Sequence, residues 1–255
     1  MKTFVDDNSI VKKIWSTTDM TLFIFAGASA EFALNKQVDW LYFTGKLPGD
    51  PIGRLFSTVK YAQYIIFKEE KEAANSIDKI NSIHHNVESA RGKKISNAGY
   101  QDVLYMLIHY SISSFELLER KLSNEEKDEM VRTFQKIGIQ MHIDNLPGNY
   151  AEWFSAYNNN LQINLLNSPF TKDLFKQYKK HLGLFRYFLL IDIQRMLVPE
   201  HVNSLLCLGR PKIVHLLIPV YRLIRTYSLH KYLILTMVPN KFKDQVRGMD
   251  HPQIT

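Results

Sequence analysis

Apolar residues recur at steps of three and four along most of the chain, which is the period of an amphipathic α-helix. Between residues 50 and 92 this pattern predicts two consecutive helices. Asp50-Pro51 has the composition of a helix start, and Gly92 suits a left-handed helix end. The buried stripe predicted for the first helix consists of Ile52, Leu55, Val59, Ala62 and Ile66.

The second of these helices carries a histidine, His84, within its apolar stripe, between Ile80 and Val87. Burying an imidazole without a partner is costly, so its ring nitrogens need one. A hydrogen bond to a carbonyl is the commoner solution, and ligation of a metal is the alternative. A neighbouring face of the first helix presents three polar groups together, from Arg54, Thr58 and Tyr61.

The rest of the chain continues the helical pattern, and no alternating strand pattern bounded by turns is present. We therefore predict an all-α fold, a single-domain helical bundle over residues 1–255. The run 184–198 is apolar almost all round, so we predict protein neighbours on both of its sides. Further helices are predicted over 19–35, 100–121, 124–138, 149–165 and 171–182.

The helix over 19–35 contains a patch of small residues, Ala26 to Ala30, followed by Glu31. Small side chains let a neighbouring helix or a flat ligand approach the backbone closely. Glu31 has two interpretations. A solvated charge near a helix end is the commoner one, and a general base held beside a pocket is the functional one.

Composition and charge narrow the class of protein. Hydrophobic residues at 45% and aromatic residues at 12% describe a globular chain. The formal net charge is +7, but we find no basic run interleaved with stacking aromatics, so no nucleic-acid partner is expected. Cys207 is the only cysteine, which excludes an intramolecular disulfide and a multi-thiolate zinc site. This favours a reducing, cytoplasmic location.

Two stretches bear on membranes. The first fifteen residues carry charges where a signal peptide has its apolar core, so no secretion signal is expected. The most apolar stretch, 213–238, is interrupted by charged residues, which argues against a spanning helix of about 18 apolar residues. The helices within 171–243 either complete the core, the commoner case, or lie flat on a membrane as a peripheral contact.

Motifs for zinc, di-iron, phosphate binding and nucleophilic catalysis are missing from the sequence. A histidine in an apolar stripe beside Arg, Thr and Tyr suits haem, because iron accepts a neutral imidazole, the macrocycle needs an apolar slot and the propionates need cations or hydroxyls. Spacing alone leaves a hydrogen-bonded core histidine as the commoner interpretation. His109 is the competing ligand candidate, although a hydrogen-bonded histidine between helices is its commoner role, and His85 is predicted to lie on the surface.

Three motifs carry a family resemblance, which runs from about residue 26 to residue 160. They are the D-P-x-x-R-x-x-x-T start at Asp50, the I-H-x-x-V segment around His84, and the hydrophobic-His-Tyr helix at His109 that precedes a capping box. With this order and spacing, the chain resembles the haem b oxygenases that include MpaB and the catalytic domain of latex-clearing protein (rubber oxygenase).

The resemblance implies haem b in a partly globin-like helical core, in a pocket between helices, with its iron held by His84. It also implies that Arg54 and Thr58 lie beside the haem, where they would anchor a propionate or polarise oxygen. The helical spacing adds Tyr61 on the same face as a further candidate for cofactor binding. Glu31 is the nearest candidate for the family's catalytic glutamate. Ser57 stands where latex-clearing protein has a lysine, a departure that argues against polyisoprene cleavage.

The sequence hypothesis is therefore a haem-dependent oxygenase that uses O₂ on a hydrophobic, isoprenoid or lipid-like small molecule. The alternative is a helical protein that binds haem or lipid without turnover, peripheral to a membrane.

Overall fold

A computed structural model describes residues 2–45 and 49–249. In these ranges the only extended pairings are two isolated bridges, Thr3 with Glu69 and Asn35 with Leu165, so the predicted all-α fold is confirmed. The helices are α1 Ile10–Trp15, α2 Thr18–Leu34, α3 Asp39–Phe43, α4 Pro51–Phe67, α5 Glu70–Arg91, α6 Asn97–Leu118, α7 Asn124–Gln140, α8 Tyr150–Asn164, α9 Pro169–Leu197, α10 Glu200–Leu206, α11 Val214–Thr226, α12 His230–Met237 and α13 Lys243–Arg247.

The predicted helix ends depend on the side chains that satisfy free backbone groups. Asp50 accepts a hydrogen bond from the Gly53 N–H at the start of α4, and Gly92 ends α5 with a φ of 66°. Ser123 and Glu126 form a reciprocal capping box at the start of α7. All three local predictions are confirmed, whereas the far end of α7 lies two residues beyond the predicted Gly138, at Gln140.

Helix α2 forms the centre of the core and packs against α6 and α9. It is buried around its whole circumference over most of its length, which its small residues permit. At Gly27 the ring of Tyr110 from α6 lies so close that an added Cβ would come within 2.2 Å of Cδ1. The small-residue patch therefore serves the close approach of a neighbouring helix.

The C-terminal helices are only partly covered. Gly183 interrupts α9 with a φ of 74°, and the next residues, Leu184 and Phe185, are 72% and 63% exposed. The prediction of protein on both sides of the run 184–198 is therefore wrong. The two side chains are exposed because α2 covers only one side of α9, and nothing in the described ranges covers the other side at Leu184 and Phe185.

The other predicted role of these helices, completion of the core, holds for one face of each. Ile218 of α11 and Ile234 of α12 are buried, and Arg225 of α11 pairs with the buried Asp19 of α2 at 2.5 Å. Within the described residues, we find no helix with the length and apolar character to cross a bilayer.

Candidate functional site

The first candidate site lies where α4 and α5 pack together, and Tyr100 near the start of α6 contacts it. His84 of α5 is half-buried, and its ring lies 5.2 Å from the Tyr100 ring, centroid to centroid. Its Nδ1 atom is buried and has no hydrogen-bond partner within the described part of the chain. A buried ring nitrogen without a partner costs free energy, and such an atom indicates either strain or a group that binds there.

The electrostatic surroundings keep His84 neutral at neutral pH. Burial lowers its pKa below 6.5, Glu88 acts in the opposite direction, and the positive charge of Arg54 lowers the pKa further. Neutral imidazole is the form that binds a metal ion. The Tyr100 hydroxyl donates to Glu88 Oε1 at 3.2 Å, so these two side chains fix the polar surroundings of the histidine.

The residues predicted beside His84 line one face of α4. Arg54 is half-buried and borders an open depression of about 510 Å³, formed together with Gly49, Asp50, Gly53, Phe242 and Gln245. Thr58 is exposed, and its hydroxyl donates to the Arg54 carbonyl at 3.1 Å. Tyr61 is half-buried one helical turn further on. The structure thus brings Arg54 and His84 together, with Thr58 and Tyr61 next along the helix. His85 is exposed, as predicted.

A second cluster surrounds Glu31, which is only 4% exposed. Its Oε2 accepts hydrogen bonds from the hydroxyls of Tyr157 at 2.6 Å and Tyr110 at 3.0 Å. Burial raises the pKa of Glu31 to about 7, against the lowering effect of both tyrosines and with a small contribution from Asp102. The commoner expectation, a solvated charge, is therefore wrong, and Glu31 can exchange a proton near neutral pH.

Asp102 continues this cluster on the other side of a small cavity. Its carboxylate accepts from three amides, those of Asn35 at 2.8 Å and of Asn160 and Asn164 at 2.9 Å each. Burial nevertheless raises its pKa above 3.8. The cavity between Glu31 and Asp102 measures about 10 Å³, close to the space that one water molecule requires.

His109, the competing ligand candidate, is packed inside this second region. Its ring stacks on Tyr157 at 4.9 Å and meets the edge of Tyr110 at 4.8 Å. Its Nε2 lies 3.4 Å from the Leu197 carbonyl oxygen. Burial lowers the pKa of His109 to about 4, so the ring is neutral and one nitrogen already has a partner.

The two clusters lie at different levels of the bundle. Tyr100 contacts His84 and Tyr110 contacts Glu31, and ten residues of α6 between them span about 15 Å. The structure therefore does not bring Glu31 together with His84. In the described part of the chain, no group of three or more His, Cys, Asp or Glu side chains is placed to hold a metal ion, and a haem iron with one protein ligand needs no such group.

Sequence reasoning did not find Tyr100, Tyr110, Tyr157 or Asp102. Tyr110 and Tyr157 are 79 and 126 positions from Glu31, and no local spacing links residues that only packing brings together. One indication of this cluster is present in the sequence, because the polar residues His109 and Tyr110 interrupt an otherwise apolar stretch of α6.

Buried ionisable groups with shifted pKa values are typical of enzyme sites, so fold and clusters together indicate an all-helical enzyme domain. Residues 15–245 match the family model described as ER-bound oxygenase mpaB/B'/Rubber oxygenase, catalytic domain. The match covers most of the chain, which belongs to this family, and the resemblance found in the sequence is confirmed. Membership supports oxygenase activity on a small molecule with O₂. No curated protein shows significant similarity to the chain.

Proposed function

We propose that this protein is a haem b-dependent oxygenase that acts on a hydrophobic, isoprenoid or lipid-like substrate. The observation that carries the proposal is the buried Nδ1 atom of His84, which has no hydrogen-bond partner among the described residues, in a ring that senses the positive charge of Arg54. Membership of an oxygenase family supports the class of reaction. The single cysteine, Cys207, supports a cytoplasmic location.

The residues present fit a haem group. His84 would supply a neutral imidazole to hold iron, and the Tyr100 ring packs beside it. Arg54 would supply a cation for a propionate, and Thr58 and Tyr61 would add hydroxyls on the same helical face. The depression next to Arg54 is open to solvent and adjoins the stacked rings of Phe56 and Phe242, which provide apolar surface.

When bound, haem supplies the activation of O₂, and the protein supplies position and proton control. Glu31 is our candidate for the proton-handling group, since its Oε2 holds or releases a proton near pH 7 while two tyrosine hydroxyls orient it. A general base acts only within hydrogen-bond reach of its substrate. Catalysis by Glu31 therefore requires the small cavity between α2, α6 and α8 to open toward the substrate.

The test is the absorption spectrum of the purified protein. A Soret band is expected in the wild type, in His85→Ala and in His109→Ala, and it is expected to disappear in His84→Ala. His85 is the matched control because it neighbours His84 but is exposed. Loss of the band in His109→Ala alone would show that the assigned ligand is wrong.

A second candidate function is binding of haem or lipid without turnover. The separation of about 15 Å along α6 between the Glu31 and His84 clusters favours it, because Glu31, our candidate for the proton-handling group, then lies away from the residues that would hold haem. Haem-loaded protein that consumes no O₂ with a panel of lipids and isoprenoids would support this function. Substrate-dependent O₂ consumption would support the oxygenase.

A further inference from the structure

Helix α11 carries two apolar stripes, and the structure uses only one of them. The inner stripe contains the buried Ile218, next to the ion pair between Arg225 and Asp19. The outer stripe consists of Leu216, Val220, Leu223 and Tyr227, whose spacing places them on one helical face. Leu216 is 67% exposed and Leu223 is 59% exposed, so this second stripe is not needed for packing within the described chain.

Neighbouring helices extend the exposed apolar surface. Tyr232 of α12 and Phe185 of α9 are also exposed, and α11 packs against both of these helices. Arg186 Nε donates to the Met237 carbonyl at 2.7 Å, which ties this part of α9 to the end of α12. We call these six exposed side chains the C-terminal apolar face: Phe185, Leu216, Val220, Leu223, Tyr227 and Tyr232.

The positive charge of the protein is concentrated in the segment that carries this face. Residues 174–243 contain 12 of the 32 Lys and Arg residues but only 2 of the 25 Asp and Glu residues, a net charge of +10. The remainder of the chain is therefore at −3. One of the two acids, Asp192, is fully buried and accepts hydrogen bonds from backbone N–H groups at residues 212–214.

The cations next to α11 are not explained by helix stability. Arg210 and Lys212 are exposed immediately before the start of α11, where the helix dipole disfavours positive charge. An anionic surface that meets this end of the helix would turn the unfavourable charges into favourable contacts. Exposed leucines with basic residues beside them are the composition of helices that lie in a membrane interface, where tyrosine is also favoured.

We propose that the C-terminal apolar face docks on a lipid bilayer that carries anionic headgroups, with α11 lying in the plane of the interface. A second copy of the chain fits this face less well, because two segments with an excess of positive charge would face each other. Lipid supplies both the apolar phase for the leucines and the negative charge for the basic residues.

The proposal is tested by flotation of the full-length protein with vesicles of phosphatidylcholine alone and of phosphatidylcholine with phosphatidylserine. The wild type is expected to float with the mixed vesicles and only weakly with phosphatidylcholine. Arg210→Gln with Lys212→Gln should weaken binding by about 25-fold, since each basic residue near an anionic surface contributes about fivefold. Leu216→Glu with Leu223→Glu should reduce flotation to background.

The matched control is Ile139→Glu with Ile163→Glu, which changes exposed apolar residues of α7 and α8 and should leave flotation unchanged. Circular dichroism and the melting temperature show whether each variant folds. Equal flotation of wild type and Leu216→Glu/Leu223→Glu, or equal binding to both kinds of vesicle, overturns the proposal. A dimer in gel filtration that this pair dissociates, without vesicle binding by the wild type, also overturns it and assigns the face to a second copy. Flotation needs no haem, so its outcome is independent of the oxygenase proposal.

Discussion

Glu31→Gln is the substitution that separates the electrostatics of the buried cluster from its packing. Glutamine keeps an oxygen with two lone pairs, so it can still accept from the hydroxyls of Tyr110 and Tyr157. Its amide N–H groups then face the small cavity toward Asp102. We expect a pH-independent cost of about 1 kcal/mol for this rearrangement.

The pH-dependent part of the effect follows from the raised pKa. Glu31 has a folded pKa of about 7 against 4.5 in the unfolded chain, because burial disfavours its charge. Its contribution to stability is therefore complete below the unfolded value and is lost as the pH rises through the folded value. Between about pH 5 and about pH 8, we calculate a loss of about 2.5 kcal/mol in the wild type. Glutamine does not ionise, so Glu31→Gln removes this loss.

Urea denaturation at the two pH values measures the difference. The free energy of unfolding falls by about 3 kcal/mol per molar urea in a chain of this size. Raising the pH from about 5 to about 8 should therefore lower the unfolding midpoint of the wild type by about 0.8 M relative to that of Glu31→Gln. Glu200→Gln, which changes an exposed carboxyl, controls for net charge. The same pH dependence in wild type and Glu31→Gln would refute the reasoning, because the carboxyl would then ionise in the native state as easily as in water.

Three further predictions concern the same core. Gly27→Ala places a Cβ within 2.2 Å of the Tyr110 ring and should cost about 3 kcal/mol in thermal or urea unfolding. His109→Gln should resist acid better than the wild type. The folded pKa of His109 is about 4, so the wild type loses stability as the pH falls below about 6.5, whereas glutamine does not titrate. Acid titration of the folded fraction of both proteins measures this difference. Asp192→Asn should lower the free energy of unfolding by about 2–3 kcal/mol near neutral pH. Burial raises the pKa of Asp192, but hydrogen bonds from three backbone N–H groups and a nearby guanidinium outweigh this effect and hold the pKa at about 2. Denaturation near pH 7 checks this last cost.

Local signals in the sequence were sufficient for the helices and their ends. Asp50 with Pro51, Ser123 with Glu126, and Gly92 act on backbone groups within a few residues, so their effect could be predicted without knowledge of the tertiary structure. The face bearing Arg54 and His84 was predictable for a similar reason. Arg54 lies on α4 and His84 on α5, and the apolar stripes of these consecutive helices must pack together. This packing determines on which side of each helix the polar neighbours project.

The buried carboxyl cluster could not be predicted in the same way. Of the two interpretations of Glu31, the solvated charge is the commoner because charges near helix ends are usually hydrated, whereas α6 and α8 close over this residue and supply Tyr110 and Tyr157. Which distant hydroxyl meets which carboxyl depends on the packing of three helices. The exposure of Leu184 was missed for a related reason, since hydrophobicity indicates that a residue prefers burial but does not provide the covering surface.

Helix α9 connects the buried cluster with the exposed apolar face. The Tyr178 hydroxyl donates to the Ser29 carbonyl at 3.4 Å, and Gln194 Nε2 donates to Ser29 Oγ at 3.0 Å, close to Glu31 on α2. Between these inward contacts lie Gly183 and the exposed Phe185. The positive φ of Gly183 changes the direction of the chain, so residues of similar hydrophobicity point inward at the two ends of α9 and outward in its middle. A bilayer bound at this middle segment would lie one helix away from Glu31, an arrangement that would suit the proposed oxygenase if its substrate is dissolved in lipid.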